Sequence, residues 1–285
     1  MINPVIKWSG SKRKVAVELG AHFINNGRYF EPFIGGGSTL PFRGVKKGIA
    51  SDIIPELINL WDLIKTNPDL VKSEYEVRWS KLQKEGHDVY YEVRSNFNET
   101  KNPFDFLFLT RTCVNGLIRY NSNGKFNNSM HKNRPGIDPK KLGQIVDQWS
   151  GFIKGIDFMK QDYRETLELA RENDFVFLDP PYGGNKGRYT KIQFDIPEFY
   201  EQLERLNKRG VFWMLTFDGS AGKREYDFVL PDNIYKTKFF IKTGNSPFTK
   251  LMKTSLDQIS EAVYTNYYTG STHLIKPTQK ILEFV

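Results

Sequence analysis

The 285-residue sequence predicts a doubly wound α/β sheet interrupted by an inserted, mainly helical module. Three observations carry that prediction. Runs rich in β-branched and aromatic residues leave through polar or glycine-rich exits at "RYFEPFIGGGS" (28–38), "KKGIASD" (46–52) and "DFVFLDPPYGG" (174–184), as buried parallel strands do where they open into a crevice. A helical pattern through "PEFYEQLERLNKRG" (197–210) precedes the strand-like "GVFWMLTFD" (210–218), so strand and helix alternate. From about Asp62 to Ser150 the texture shifts to long polar or amphipathic stretches rich in Asn, Lys, Arg and Tyr, with no glycine-exit strand. The expected organisation is a sheet domain over 1–61 and 151–285, with an insertion over 62–150.

Each element has its own justification. Gly35, Gly36 and Gly37 follow the first strand and precede a helix-compatible stretch, where missing side chains let a ligand approach the backbone. Neither "IGGGSTL" nor "WSGSKRK" fits the phosphate loop G-x-x-x-x-G-K-[ST], and a dinucleotide fingerprint begun at Gly35 fails at Leu40. Asp52 closes the second strand, close to the spacing at which an acid meets ribose hydroxyls. Together the turn and the acid suggest an adenosine-bearing cofactor without a pyrophosphate, a description that S-adenosylmethionine fits; a tight turn and a helix-capping aspartate are the alternative. Within the insertion, "NSNGKFNNSMHKNRPGIDP" (121–139) is too rich in Asn, Gly and Pro for a helix and reads as a long loop. "IDFMKQD" (156–162) is a further strand, and "IYKTKFFIKTGNSPFTK" (234–250) with "EAVYTNYYTG" (261–270) reads as edge strands around a mobile loop.

Bulk chemistry narrows the function. A net charge of +8 and a pI near 9.3 point to a polyanionic partner, because each Lys or Arg that neutralises a phosphate releases a counterion. Cys113 is the single cysteine, which excludes an internal disulfide and a cysteine zinc cluster, and the four histidines lack metal-binding spacing. No metal is expected. "MINPVIKWSGSK" lacks the apolar core of a secretory signal, and no apolar run reaches a membrane span, so a cytoplasmic protein is expected.

The most informative stretch is "FLDPPYGG" (177–184). Asp179 emerges after "FVFL", so its carboxylate is expected at the ligand edge of the sheet. The two prolines cannot continue a sheet ladder, which leaves the Pro180 carbonyl to accept a bond from a ligand, and Tyr182 adds a flat ring. An exocyclic amine on a nucleobase is a poor nucleophile because its lone pair is delocalised into the ring. A carboxylate and a carbonyl that each accept one amine hydrogen push the nitrogen towards tetrahedral geometry and free the lone pair to attack a methyl sulfonium. The base must first leave the duplex, and an aromatic ring replaces its lost stacking.

With these motifs in this order, the sequence resembles the Dam family of DNA adenine methyltransferases over most of its length. The resemblance implies a Rossmann-like, S-adenosylmethionine-dependent methyltransferase sheet with an inserted DNA-recognition domain. "IKWSGSK" is similar to the family's N-terminal element: Trp8 and Lys12 match cofactor-site positions and Lys7 a DNA contact, with Ser11 in place of the usual second glycine. In "FEPFIGGGS", Phe33 matches an aromatic near the cofactor, alongside Gly35 and Gly37. Asp52 matches the ribose-binding acid, with Ile54 where an asparagine is common. "KQDYRE" supplies Asp162 and Tyr163 beside the cofactor's adenine, and "LDPPY" matches fully, with Asp179 expected to touch both the target amine and the methionine end of the cofactor. "EAVYTNY" is similar to the closing strand. In "RTCVNGLIRYNSNGKFN" (111–127), Asn115, Leu117 and Arg119 match positions that contact or wedge into the duplex, and Arg119 could bond a guanine edge bidentately. The well-known GATC-methylating members continue with valine, proline and phenylalanine, whereas Asn128, Ser129 and Met130 stand here; GATC is therefore not carried over.

The expectation is a site-specific methyltransferase that acts on the N6 amine of a flipped adenine in double-stranded DNA, with a companion restriction endonuclease left open. A cytosine-C5 enzyme is excluded because Cys113 lies between Thr112 and Val114 and not in a proline-cysteine context. The alternatives are a cytosine-N4 methyltransferase, whose amine poses the same problem, and a non-catalytic DNA-binding subunit, which has no physical need of Asp179 or the glycine turn. A nicotinamide dehydrogenase is disfavoured by the failed fingerprint.

Overall fold

The computed structural model describes residues 1–133, 135–181, 194–217, 220–221, 224–225, 230–245 and 258–269. After an irregular N-terminal segment and the short helix α1 (Ala16–Gly20), strand β1 (Tyr29–Glu31) leads through the glycine turn to β2 (Gly48–Asp52). Five helices follow before the chain returns to the sheet: α2 (Pro55–Thr66), α3 (Pro68–Glu85), α4 (Asp88–Thr100), α5 (Pro103–Thr112) and α6 (Pro139–Phe152). Then come β3 (Ile156–Lys160), α7 (Tyr163–Glu168), β4 (Phe175–Leu178), α8 (Ile196–Lys208) and β5 (Phe212–Phe217). The short β6 (Ser220–Ala221) and β7 (Arg224–Glu225) precede the long hairpin partners β8 (Thr237–Asn245) and β9 (Gln258–Thr265).

Helix starts between β2 and β3 follow local chemistry. Asn67-Pro68, Asn102-Pro103 and Asp138-Pro139 each place an Asx side chain at the N-cap, accepting from Leu70, Phe104 and Lys141 backbone N–H groups, with proline at the first helical position. The long loop after α5 is more ordered than its composition suggests. Bridges Cys113↔Met130 and Tyr120↔Phe126 fold residues 113–130 into an antiparallel hairpin closed by the turn Asn121–Gly124.

The sheet order is β3-β2-β1-β4-β5-β9, parallel from β3 to β5, with β9 antiparallel to β5. This is the predicted doubly wound sheet, and its order reverses between β1 and β4. Two expectations need correction. The stretch after Gly37 forms only a 3-10 turn, Leu40–Phe42, with Pro41 inside it, so no helix N-terminus faces the glycine turn. The segment around "EAVYTNY" is not an edge strand: β9 lies between β5 and β8, and its alternation reflects two differently packed faces.

Strand residues alternate between two cores. Tyr29, Phe175, Phe177, Met214 and Val263 face the larger one, which continues without a break into Trp61, Tyr75, Phe97, Phe106 and Trp149 of helices α2 to α6. Phe30, Val176, Leu178, Trp213, Leu215 and Tyr264 face the other, covered by Leu167 of α7 and by Phe199, Leu203 and Leu206 of α8. Helices α2 and α6 run across residues 62 and 150, so chain geometry and packing are continuous at both positions.

Candidate active site

In an open α/β sheet the ligand crevice lies outside the carboxyl ends of the strands, where the strand order reverses. Here that point is flanked by the exit of β1, which is the glycine turn, and by the exit of β4, which is Asp179 and Pro180. The sequence-predicted residues of both motifs therefore leave neighbouring parallel strands at the same sheet edge, although they lie far apart in the chain.

The floor on the β1 side is built from backbone. Gly35 has φ +43°, and a Cβ there would lie 2.5 Å from Trp8 Nε1. The Gly35 N–H donates to Asp52 Oδ2 at 3.3 Å and its carbonyl accepts from Trp61 Nε1 at 3.1 Å, so the turn is pinned on both sides. Gly37 is equally confined, its absent Cβ facing the Trp61 ring at 3.0 Å. Asp52 also accepts from the Ile54 N–H, and burial nevertheless pushes its carboxyl up to about 6. Ser11, the departure from the family's second glycine, is 2.6 Å from Ser38 Oγ and ties the N-terminal element to the end of the glycine turn.

Next to this floor is an aromatic wall. Phe33 stacks on Tyr163 with ring centroids 5.3 Å apart, and Phe194 closes against both at 6.0 and 5.6 Å. The Tyr163 hydroxyl is buried with no hydrogen-bond partner among the described residues. Asp162 caps α7 in a capping box and receives Arg164 Nε at 2.7 Å; burial opposes its ionisation, but the bonds from Arg164 win and hold it below the usual carboxylate range. Its carboxylate is committed to orienting the start of α7, where Tyr163 sits.

On the β4 side, Asp179 Oδ1 lies 2.9 Å from the buried Lys12 ammonium and accepts from Thr216 Oγ1 at 3.0 Å. Lys12 Nζ also lies 3.1 Å from Glu261 Oε1. Pro180 is buried, and Tyr182 lies outside the described residues. The N-terminal element that delivers Lys7, Trp8 and Lys12 is held by Arg111, which donates to the carbonyls of Pro4 and Val5, and by Trp149, which donates to Asn3 O at 2.7 Å.

Behind Asp179, Glu31 is buried and accepts from Tyr29 Oη at 2.9 Å and Thr39 Oγ1 at 2.8 Å. Burial pushes its carboxyl up to about 8; those two bonds oppose the shift and the charge of Asp179 adds to it. A folded-state value raised above 4.5 gives a stabilising contribution that is complete below about 4.5 and is lost as pH rises through about 8. Within that window stability is expected to fall by up to about 1.4 kcal/mol per pH unit from this group. Urea midpoints at several pH values should show the slope in the wild type and a flatter curve in Glu31→Gln; identical slopes would contradict the assignment.

The predicted DNA readers lie on the hairpin. Asn115 (φ +57°) and Gly116 (φ +64°) form a left-handed turn, and a Cβ on Gly116 would lie 2.8 Å from Lys7 Cβ, which brings Lys7 against the hairpin base. Arg119 is exposed, with Nε donating to Asn127 Oδ1 at 2.8 Å and Nη2 to Asn127 O at 3.3 Å, which steadies the guanidinium and leaves its Nη1 edge for a base contact. Asn128, read from the sequence only as a departure, is buried and donates to the carbonyls of Val114 and Leu117 at 3.0 and 2.8 Å. It holds the turn that presents Asn115 and Leu117. Among the described residues no group of His, Cys, Asp and Glu could hold a metal ion, and no helix is long and apolar enough to cross a membrane.

Comparison with known proteins shows the family. The D12 class N6 adenine-specific DNA methyltransferase family matches residues 8–256. Type II methyltransferase M.MjaIII of Methanocaldococcus jannaschii is 30% identical over 249 residues, covering 75% of this chain and 84% of that protein. Type II methyltransferase M1.LlaDCHI of Lactococcus lactis subsp. cremoris is 26% identical over 287 residues, covering 93% and 96%. A DNA adenine methylase of Vibrio cholerae is 29% identical over 181 residues, covering 62% and 64%.

Proposed function

The chain belongs to the D12 class of N6 adenine-specific DNA methyltransferases, and from that premise we propose how its own residues divide the work. It methylates the N6 amine of adenine in DNA. The observation that carries the residue assignment is the exit of the Gly35 turn and of Asp179 from neighbouring strands where the strand order reverses.

S-adenosylmethionine is the proposed cofactor, and when bound it supplies an electrophilic methyl carbon on a positive sulfur. The residues present suit an adenosine. Phe33 and Tyr163 offer an aromatic wall with one hydroxyl unpartnered among the described residues, Asp52 offers carboxylate oxygens to ribose hydroxyls, and Gly35 under Trp8 and Gly37 beside Trp61 keep the floor free of side chains. Asp162 serves by fixing Tyr163 at the start of α7. Lys12 holds Asp179 through its ammonium.

In the proposed reaction, Asp179 and the Pro180 carbonyl accept the two hydrogens of the flipped adenine's amine, and Tyr182 stacks on the base. Region 62–150 acts as the target-recognition domain: Lys7 binds the backbone near the hairpin base, Asn115 and Leu117 enter the duplex, and Arg119 reads a base edge. The name Type II methyltransferase, shared by two relatives, supports a companion restriction endonuclease as partner.

Incubation with a randomised duplex library and S-adenosylmethionine, followed by modification-sensitive sequencing, is expected to place methyladenine in one short motif. Methylation spread over unrelated sequences would contradict site specificity. Arg119→Ala in the same assay should relax discrimination at one base pair, by about 1–3 kcal/mol. An unchanged motif would mean that the reader lies elsewhere on the hairpin.

A further inference from the structure

We propose that Thr216 and Glu261 are positioning residues for Asp179, and that Glu261 keeps the cluster around Asp179 anionic where the methylated amine becomes positive. The proposal rests on the reading of Asp179 as the acid that engages that amine.

Sheet geometry brings the groups together. Side chains alternate along each strand. Tyr29 of β1, Phe177 of β4, Met214 of β5 and Val263 of β9 all face the larger core, so the residues two positions away, Glu31, Asp179, Thr216 and Glu261, project from the same face. Because β9 is antiparallel, its first half lies at the ligand edge, where Phe217 pairs with Ala262. Lys12 descends onto this row from the N-terminal element.

The contacts then fix one carboxylate. Thr216 Oγ1 at 3.0 Å and Lys12 Nζ at 2.9 Å both address Asp179 Oδ1, and a planar group held at one oxygen has the direction of its other oxygen set as well. Thr216 is fully buried, and its hydroxyl also lies 3.3 Å from Leu178 O, so its position follows the end of β4.

Charge decides the role of Glu261. As the target nitrogen's lone pair forms the bond to the methyl carbon, the bond from that carbon to the sulfonium sulfur breaks with its electron pair left on sulfur. The nitrogen then carries the positive charge until one of its protons leaves to water, and a preorganised anion beside it lowers the barrier. Asp179 and Lys12 alone make a neutral pair, which offers that nitrogen little. Glu261, 3.1 Å from the same ammonium, brings these three groups together to a net charge of −1 without a direct contact to the amine. Side-chain exposures of 4% for Lys12 and 18% for Glu261 keep solvent from screening the effect fully.

Single-turnover and steady-state methyl transfer on duplex DNA, with cofactor affinity measured separately, test this in Glu261→Gln, Glu261→Asp, Thr216→Val and the reference Asp179→Asn. Glu261→Gln is expected to lower kcat at least about tenfold while KM for DNA and Kd for cofactor stay within about threefold; Glu261→Asp recovers part of the loss and Thr216→Val lowers kcat with the same split. A Glu261→Gln enzyme with kcat within about twofold of wild type overturns the proposal, as does a loss confined to KM or one that Glu261→Asp does not lessen. If Asp179→Asn is inactive while Glu261→Gln is unimpaired, this inference alone fails. If Asp179→Asn keeps wild-type kcat, the catalytic reading of Asp179 fails first.

Discussion

Asp179→Ala is expected to lower methyl transfer by about a thousandfold or more while duplex affinity changes by less than about threefold. The separation follows from placement. Asp179 stands at the exit of β4, between the Lys12 ammonium and the Thr216 hydroxyl, whereas the hairpin that presents Asn115 and Arg119 is built by Asn128 and the helices between β2 and β3. Removing the carboxylate deletes an acceptor for the amine and leaves the hairpin untouched. Radiolabelled methyl transfer and fluorescence anisotropy on the same duplex check both halves. Equal losses of binding and turnover would show that Asp179 acts on DNA docking and not on the amine.

Gly35→Ala is expected to weaken cofactor binding by about a hundredfold with DNA affinity largely kept. A side chain at φ +43° is strained by about 1–2 kcal/mol before any contact is counted. Its Cβ would also lie 2.5 Å from Trp8 Nε1, and the backbone cannot withdraw while Asp52 holds its N–H and Trp61 its carbonyl. Relief must come from Trp8, which covers the proposed cofactor floor. Calorimetric titration with S-adenosylmethionine gives the affinity directly. An unchanged Kd would mean that the cofactor does not use this turn.

Much of the sheet and its site is legible in the sequence because the signals are local. Gly35, Asp52 and Asp179 each follow a short apolar run, and a residue at the end of a parallel strand is at the ligand edge wherever the strand lies in the sheet. The Asx-Pro pairs likewise mark helix starts without tertiary help. What is not legible depends on contacts between distant segments. Lys12 and Glu261 meet across 249 residues, and nothing in "SKRK" or "SEAVYTN" signals that they share an ammonium with Asp179. The hairpin shows the same limit. Asn128 looks like a loss of family pattern until its amide is seen bonded to Val114 and Leu117, and nothing in the sequence signals that Asn127 steadies the Arg119 guanidinium. The alternation in "EAVYTNY" is correctly a strand signal, but alternation records which faces are buried and carries no information on whether a neighbour pairs on each side.

The central claim is that Asp179, at the sheet edge it shares with the Gly35 turn, activates the N6 amine of adenine. Mass spectrometry of nucleosides from duplex DNA treated with the protein and S-adenosylmethionine tests it most directly. The expected product is N6-methyladenine, formed by the wild type and lost in Asp179→Ala. N4-methylcytosine as the product, or N6-methyladenine formed equally well without Asp179, would contradict it.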